Sequence, residues 1–393
     1  MKIRSIETFS VKALGNNPWL FCAIRTDEGI TGYGEFGSGL FHRGLPGLIQ
    51  DIGSFLIGKD PRPVDKHYMD MYRLTRSSSG GATSMAIAGI ELALWDLKGK
   101  DAGVPVYQLV GGPFRDRQRV YWSHLGTYRA MYPHLYDKPK LKSLEDLGHC
   151  ALEAVENGYT AFKTNIVFPG ENPFIISDLI PQSNDQNAPT DVVEHAADQI
   201  AVMRNAVGSD IDICLDINYN FKTEGAIAIG KALEPYDLFW LEIDNQDPKA
   251  LLQLKSSQSI PICTGEQLLG LRSYKPFLEC LSMDTLKIDV QWQGFSQAKK
   301  VADLAEVYEI NVAPHNYNSH MSTFQSLNLT AAVSNVRIME SDVDSVPWRD
   351  DITTVVPEIN DGFMTIPNGP GWGCDLNEDM ARKYAYSLQG DGL

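Results

Sequence analysis

The chain has 393 residues, 43% apolar and 21% charged, with a net charge of −16, more than one ordinary domain and enough for a full-sized core. Such an acidic balance lacks the basic stripe that nucleic acid requires, although a local cation and lysine can still attract an anionic substrate. No run of 18 apolar residues exists, so no membrane span is expected. The six cysteines contain no CxxC pair, and Cys214 and Cys263 sit inside apolar runs. They read as buried small hydrophobes in a reduced, cytoplasmic protein.

The start, MKIRSIETFSVK, alternates like a strand and has no signal-peptide core. Residues 1–40 read as a strand meander, with Asp27-Glu28-Gly29 as the turn between the second and third strands. Residues 60–110 change to helical period. Ile87, Ile90, Leu94 and Leu97 mark one face, and Gly99 and Gly103 read as stop signals. The segment 1–117 is therefore α+β. From Val120 strands and helices alternate, with strand candidates VYWSHL, AFKTNIVF, IDICLDI, DLFWLEI, IPICTG, TLKIDV, INVAP and VRIME. Eight is the number a closed (β/α) barrel needs, and it fits 118–341. The long interval after Lys163, rich in Pro, Asn and Asp over 166–190, reads as a loop over the barrel mouth. The segment 342–393 is loop-rich and is expected to return to the N-terminal domain.

Six polar residues end six of these apolar runs at barrel intervals. Asp216, Glu242 and Glu266 are spaced by 26 and 24 residues, and Asp289, His315 and Glu340 continue at 23, 26 and 25. About 25 residues is one strand, one helix and two loops of a barrel of roughly 250 residues. Barrel chemistry sits at the C-terminal strand ends, so these residues converge with Lys163, Asn165 and Asn218. Three convergent carboxylates need a cation, and hard oxygen ligands suggest Mg²⁺ bound by Asp216, Glu242 and Glu266. Such an ion can stabilise an enediolate formed beside a substrate carboxylate. Lys163 adds positive charge there, or serves as a base in another geometry. His315 is the natural base near neutral pH, with Asp289 fixing its tautomer. Glu340 is placed to orient the substrate or the enolate. Trp19, His42 and Arg43 are placed in loops that can reach the site, and Asn165 and Asn218 can bind substrate hydroxyls.

On these residues the chain resembles the mandelate racemase branch of the enolase superfamily. The resemblance runs through IAGIELALWDLKGKDAGVPVYQLVGG, the three ligand strands and the Asp289-to-Gly294 spacing. It implies an α/β fold: a modified TIM barrel, (β/α)7β, with an α+β capping domain built from both termini. It also implies Mg²⁺ on the three carboxylates, a His315–Asp289 acid/base dyad, and a homo-oligomer, dimeric or octameric. GYTAFKTN and APHN resemble galactonate-type sugar-acid dehydratases. The chain also departs from the patterns. Asn165 stands where racemases carry a second lysine base, and Asn218 where galactonate-type enzymes carry histidine. Glu242-Ile243-Asp244 replaces Glu-Glu-Pro, and Gly294-Phe295 replaces Gly-Gly. Trp292 stands where the lactonising and dipeptide-epimerase branch needs lysine.

One clear base favours β-elimination from an acid sugar, with His315 taking the α-proton and then protonating the departing hydroxyl. A racemase or epimerase with a second base, a silent metal-dependent binding protein, and a Schiff-base aldolase using Lys163 are the alternatives.

Overall fold

The computed structural model describes residues 1–15, 17–37, 43–176 and 186–386. The meander forms as three antiparallel strands, β1 (Ile3–Val11), β2 (Trp19–Thr26) and β3 (Thr31–Phe36). Gly29, at φ 83°, makes the turn between β2 and β3. Helices α1 (Leu45–Ser54), α2 (Val64–Leu74) and α3 (Gly81–Ala102) complete the N-terminal unit.

Helix α3 is buried on every side from Ala86 to Leu97, not along one stripe. It lies directly on β3, where a Cβ at Gly32 would come within 2.2 Å of the Ala93 carbonyl oxygen. The stop-signal reading is half right. Gly103, at φ 69°, ends the helix, but Gly99 lies within it. There a Cβ would stand 2.7 Å from the Gly371 Cα, so the glycine serves close approach of the tail.

The barrel strands are β4 (Arg117–Ser123) and β5 (Ala161–Thr164). A short hairpin of β6 (Val167–Phe168) and β7 (Phe174–Ile175) follows. Then come β8 (Asp212–Asp216), β9 (Trp240–Glu242), β10 (Ile262–Thr264), β11 (Thr285–Asp289), β12 (Asn311–His315) and β13 (Met339–Asp342). The barrel strands pair in parallel, and β13 returns to β4. A parallel bridge between Val312 and Val336 closes the ring. Among the described residues seven main helices join the eight strands: 144–156, 190–207, 223–233, 248–257, 271–279, 295–307 and 320–332. This is the (β/α)7β arrangement.

Alternate residues of each strand point inward. Tyr121, Ala161, Cys214, Trp240, Cys263, Ala313 and Ile338 form a dry floor across the barrel. That floor explains the apolar settings of Cys214 and Cys263, and all six cysteines are free. No described helix is long and apolar enough to cross a membrane.

The tail adds β14 (Ile359–Asn360) and β15 (Phe363–Thr365), and β15 pairs with the first half of β4. It then reaches the N-terminal unit. The Trp372 N–H donates to Asp96 (3.0 Å), and Arg25 and the Tyr33 hydroxyl both donate to Glu378 (2.9 Å each).

Two buried carboxylates fasten the N-terminal unit to the barrel. Glu91 of α3 accepts from the Phe295 and Ser296 N–H groups (2.9 and 2.8 Å), at the N-terminus of the helix following β11. Glu35 of β3 accepts from the Ser319 and Ser322 N–H groups (3.1 and 2.8 Å) and the Ser319 hydroxyl (2.5 Å), at the N-terminus of the helix following β12. Orphan N–H groups and the helix dipole favour an anion at both places.

Burial nevertheless pushes Glu35 up to about 7, against the pull of these hydrogen bonds. Between its ordinary 4.5 and 7 the folded chain holds a proton that the unfolded chain has released. Its contribution, an upper bound of roughly 3 kcal/mol, is therefore full below the unfolded value and lost as pH rises through the folded one. Urea unfolding of wild type and Glu35→Gln at pH 4.5 and 8 is expected to show the wild type losing more stability over this interval. A constant difference between the two proteins would contradict it.

Candidate active site

Strand alternation and the barrel's stagger bring the predicted residues to one end of the barrel. Lys163, from β5, is central: its Nζ lies 3.0 Å from Asp216 Oδ2, 2.6 Å from Glu242 Oε1 and 3.0 Å from Glu340 Oε1. His315, ending β12, has Nδ1 2.6 Å from Asp289 Oδ2. The other Asp289 oxygen accepts from the Trp292 N–H at 2.7 Å, so the carboxylate is fixed at both ends. His315 Nε2 turns inward, 3.4 Å from Glu266 Oε2 and 3.9 Å from Glu340 Oε2. Trp292 and Tyr317 enclose the imidazole, with ring centres 5.1 and 4.9 Å away.

The two asparagines form a bracket beside Asp216. Asn165 Nδ2 donates to the Asp216 carbonyl (3.1 Å) and to Asn218 Oδ1 (3.2 Å), and its Oδ1 accepts from Thr127 (3.0 Å). Asn218 sits at φ 48°, a conformation asparagine tolerates, and its N–H donates to Asp216 Oδ1 at 2.9 Å.

The structure also brings in groups that the strand-end intervals do not mark. Lys287 rises from the apolar floor two residues before Asp289 and is fully buried. Its Nζ lies 2.5 Å from Glu242 Oε1, 2.9 Å from the Tyr121 hydroxyl, 3.3 Å from Glu340 Oε2 and 4.0 Å from Glu266 Oε2. Ser123, ending β4, donates to Glu340 Oε1 (2.5 Å), and the Asn316 N–H donates to its other oxygen (3.0 Å). The signal for Lys287 was the i, i+2 relation to Asp289, which places both on one strand face.

Of the three residues expected in loops, two are described. Trp19 opens β2 rather than standing in a loop. It is buried at a small cavity of about 110 Å³ shared with Tyr128, Tyr132 and Tyr317. Arg43 is exposed in the turn before α1, and His42 lies outside the described residues.

Burial raises Asp216, Glu266 and Glu340, and the two ammonium groups oppose it. Lys163 and Lys287 overcome it for Asp216, held below its ordinary range, and for Glu340, held well below. Burial alone would lower Lys163, but Asp216, Glu242 and Glu340 hold it well above its usual value. Glu266 goes the opposite way to Asp216 and Glu340: burial, then the nearby Asp244 charge, push it well above the usual range.

The donor set fits a hard cation. Glu266 Oε2 is buried without a hydrogen-bond donor, an arrangement that a further positive charge would satisfy. Asp216 and Glu242 both engage Lys163, so among the described residues no three acidic, histidine or cysteine side chains already form a coordination group.

Residues 2–111 match the mandelate racemase/muconate lactonizing enzyme N-terminal domain, and residues 146–380 match the enolase C-terminal domain-like family. The chain belongs to the mandelate racemase/muconate lactonizing enzyme family of the enolase superfamily, and it is an enzyme of that superfamily. It is 30% identical over 402 aligned residues to a D-xylonate dehydratase of Haloferax volcanii, covering 100% of this chain and 90% of that one. It is 29% identical to a D-galactonate dehydratase of Variovorax paradoxus, covering 96% and 93%. Among solved structures it resembles a Burkholderia xenovorans protein provisionally named an L-alanine-DL-glutamate epimerase, at TM-score 0.95 and 36% identity over 99% of this chain and 100% of that one. A second structure under that name, also at TM-score 0.95, is bound to magnesium and fumarate and matches over 99% of this chain and 97% of that one.

Proposed function

We propose that the chain is a magnesium-dependent sugar-acid dehydratase, converting an aldonate or aldarate to a 2-keto-3-deoxy acid. One observation carries this reading: His315, oriented by Asp289, faces the carboxylate cluster, while asparagines occupy the two neighbouring positions where a second base would stand. Asp216, Glu242 and Glu266 would hold Mg²⁺, and the orphaned Glu266 oxygen supports that assignment. When bound, the ion supplies the positive charge that makes the proton beside a carboxylate removable.

The residues then divide the work. Lys163 presents a permanent positive charge to the substrate carboxylate, and Glu340, fixed by Ser123 and Asn316, holds the lysine in place. His315 Nε2 takes the α-proton. The electron pair left at the α-carbon expels the β-hydroxyl, which leaves as water once an imidazolium of the site has given it a proton. The enol then ketonises. Asn165 and Asn218 bind substrate hydroxyls.

Homologous dehydratases at about 30% identity support this reading. The structural relative named as an epimerase favours a second one, inversion at the α-carbon, which needs a base on each side of it. Here Trp292, in the turn just past β11, packs against His315, and Asn165 cannot take a proton at neutral pH.

A panel of aldonates and aldarates incubated with Mg²⁺ in D₂O separates the two. Release of a 2-keto acid trapped by semicarbazide supports dehydration. Deuterium at an inverted centre with every hydroxyl retained refutes it.

A further inference from the structure

A second imidazole–carboxylate pair stands on the same rim. His124 follows Ser123 at the end of β4, where the chain turns through φ 54°, an uncommon conformation for a residue other than glycine. Its Nδ1 lies 2.7 Å from Oδ1 of Asp342, at the end of β13. Asp342 is buried and Glu340 lies two residues before it, so both face inward. The rise of a strand puts Asp342 about 7 Å nearer the mouth than Glu340.

The pair therefore forms a layer above Lys163 and Glu340, on the side where substrate must enter. It is also connected to His315. Tyr317 lies between the two imidazoles, its ring centre 6.1 Å from His124 and 4.9 Å from His315. Tyr128 stacks on His124, with ring centres 4.4 Å apart. Both tyrosines line the small cavity between the N-terminal unit and the barrel. With Nδ1 turned to Asp342, Nε2 points away from it, and the described residues give that atom no hydrogen-bond partner. The side chain is 16% exposed, unlike the buried Asp342. The resulting arrangement, a carboxylate orienting an imidazole that presents its other nitrogen, is the same as in His315–Asp289.

We propose that His124 is a second acid/base group of this site and donates the proton to the departing β-hydroxyl. The proposal rests on the dehydratase reading above. His315 takes the α-proton, and the C–H electron pair remains on the substrate as an enolate. The β C–O bond breaks with its electron pair on oxygen, and the proton on His124 Nε2 joins that oxygen to give water. Each imidazole returns to its starting state by exchange with solvent. Asp342 keeps the imidazole oriented between turnovers. The task absent from Asn218, just past β8, is thereby taken by a residue just past β4.

The test follows two rates in the same D₂O reaction with Mg²⁺: deuterium uptake at the α-carbon of unreacted substrate, and release of 2-keto acid. The probe is whichever of D-xylonate, D-gluconate and D-galactonate the wild type consumes. His124→Gln is expected to lower release on the order of a hundredfold while the substrate still takes up deuterium, which also shows that the variant is folded. Imidazole added to His124→Ala should restore part of the release. Parallel loss of both rates, or loss of neither, overturns the role of His124. A wild type that neither exchanges nor eliminates overturns the parent reading, and this one with it.

Discussion

His315→Asn is expected to abolish dehydration, by about 10³-fold or more, while leaving Mg²⁺ binding within about twofold. Asparagine is close in size and can still donate to Asp289, which otherwise accepts from Nδ1 at 2.6 Å. What it lacks is a nitrogen able to take a proton near neutral pH. The imidazole is not among the proposed ligands, so calorimetric titration with Mg²⁺ should change little. Turnover is measured with the acid identified in the screen, and substantial activity in the variant would remove His315 from the role of base.

Lys287→Met is expected to have a different signature, a loss of stability that magnesium partly reverses. The lysine is buried between Glu242 and Glu340, at 2.5 and 3.3 Å. Removing one partner of a buried charge cluster leaves the others uncompensated, at about 3–5 kcal/mol. Methionine fills similar volume without strain, so the loss would be electrostatic in origin. A divalent ion at the neighbouring carboxylates replaces part of the missing charge. Urea unfolding in EDTA should show the full deficit, and unfolding in Mg²⁺ a smaller one. Equal stability of variant and wild type in EDTA would mean that Lys287 carries no such burden.

Much of the barrel was legible because its period is a physical consequence of strand and helix length. All eight strand candidates became strands, and Asp216, Glu242, Glu266, Asp289, His315 and Glu340 meet at one end because a regular interval samples the same point of each unit. Lys287 shares a strand face with Asp289, but its contacts with Glu242 and Glu340 come from other strands and follow only from the closed ring. His124 is hidden for another reason. Its partner Asp342 is 218 residues away, and nothing local in VYWSHL marks the turn that brings them together. Trp19 shows the limit for loops: it is grouped with the loops that can reach the site, but pairing with Val11 makes it the first residue of β2.

The returning tail has a consequence for how the molecule is made. Arg25 is joined to Glu378 across 353 positions of chain, and Asp96 waits for Trp372 across 276. The N-terminal unit therefore leaves the ribosome with an uncovered flank, before the residues around 372–378 that seal it are made. Contacts of such separation form late and slowly, so a nascent chain halted near residue 341 should expose that flank to chaperones and proteases even if its barrel has closed.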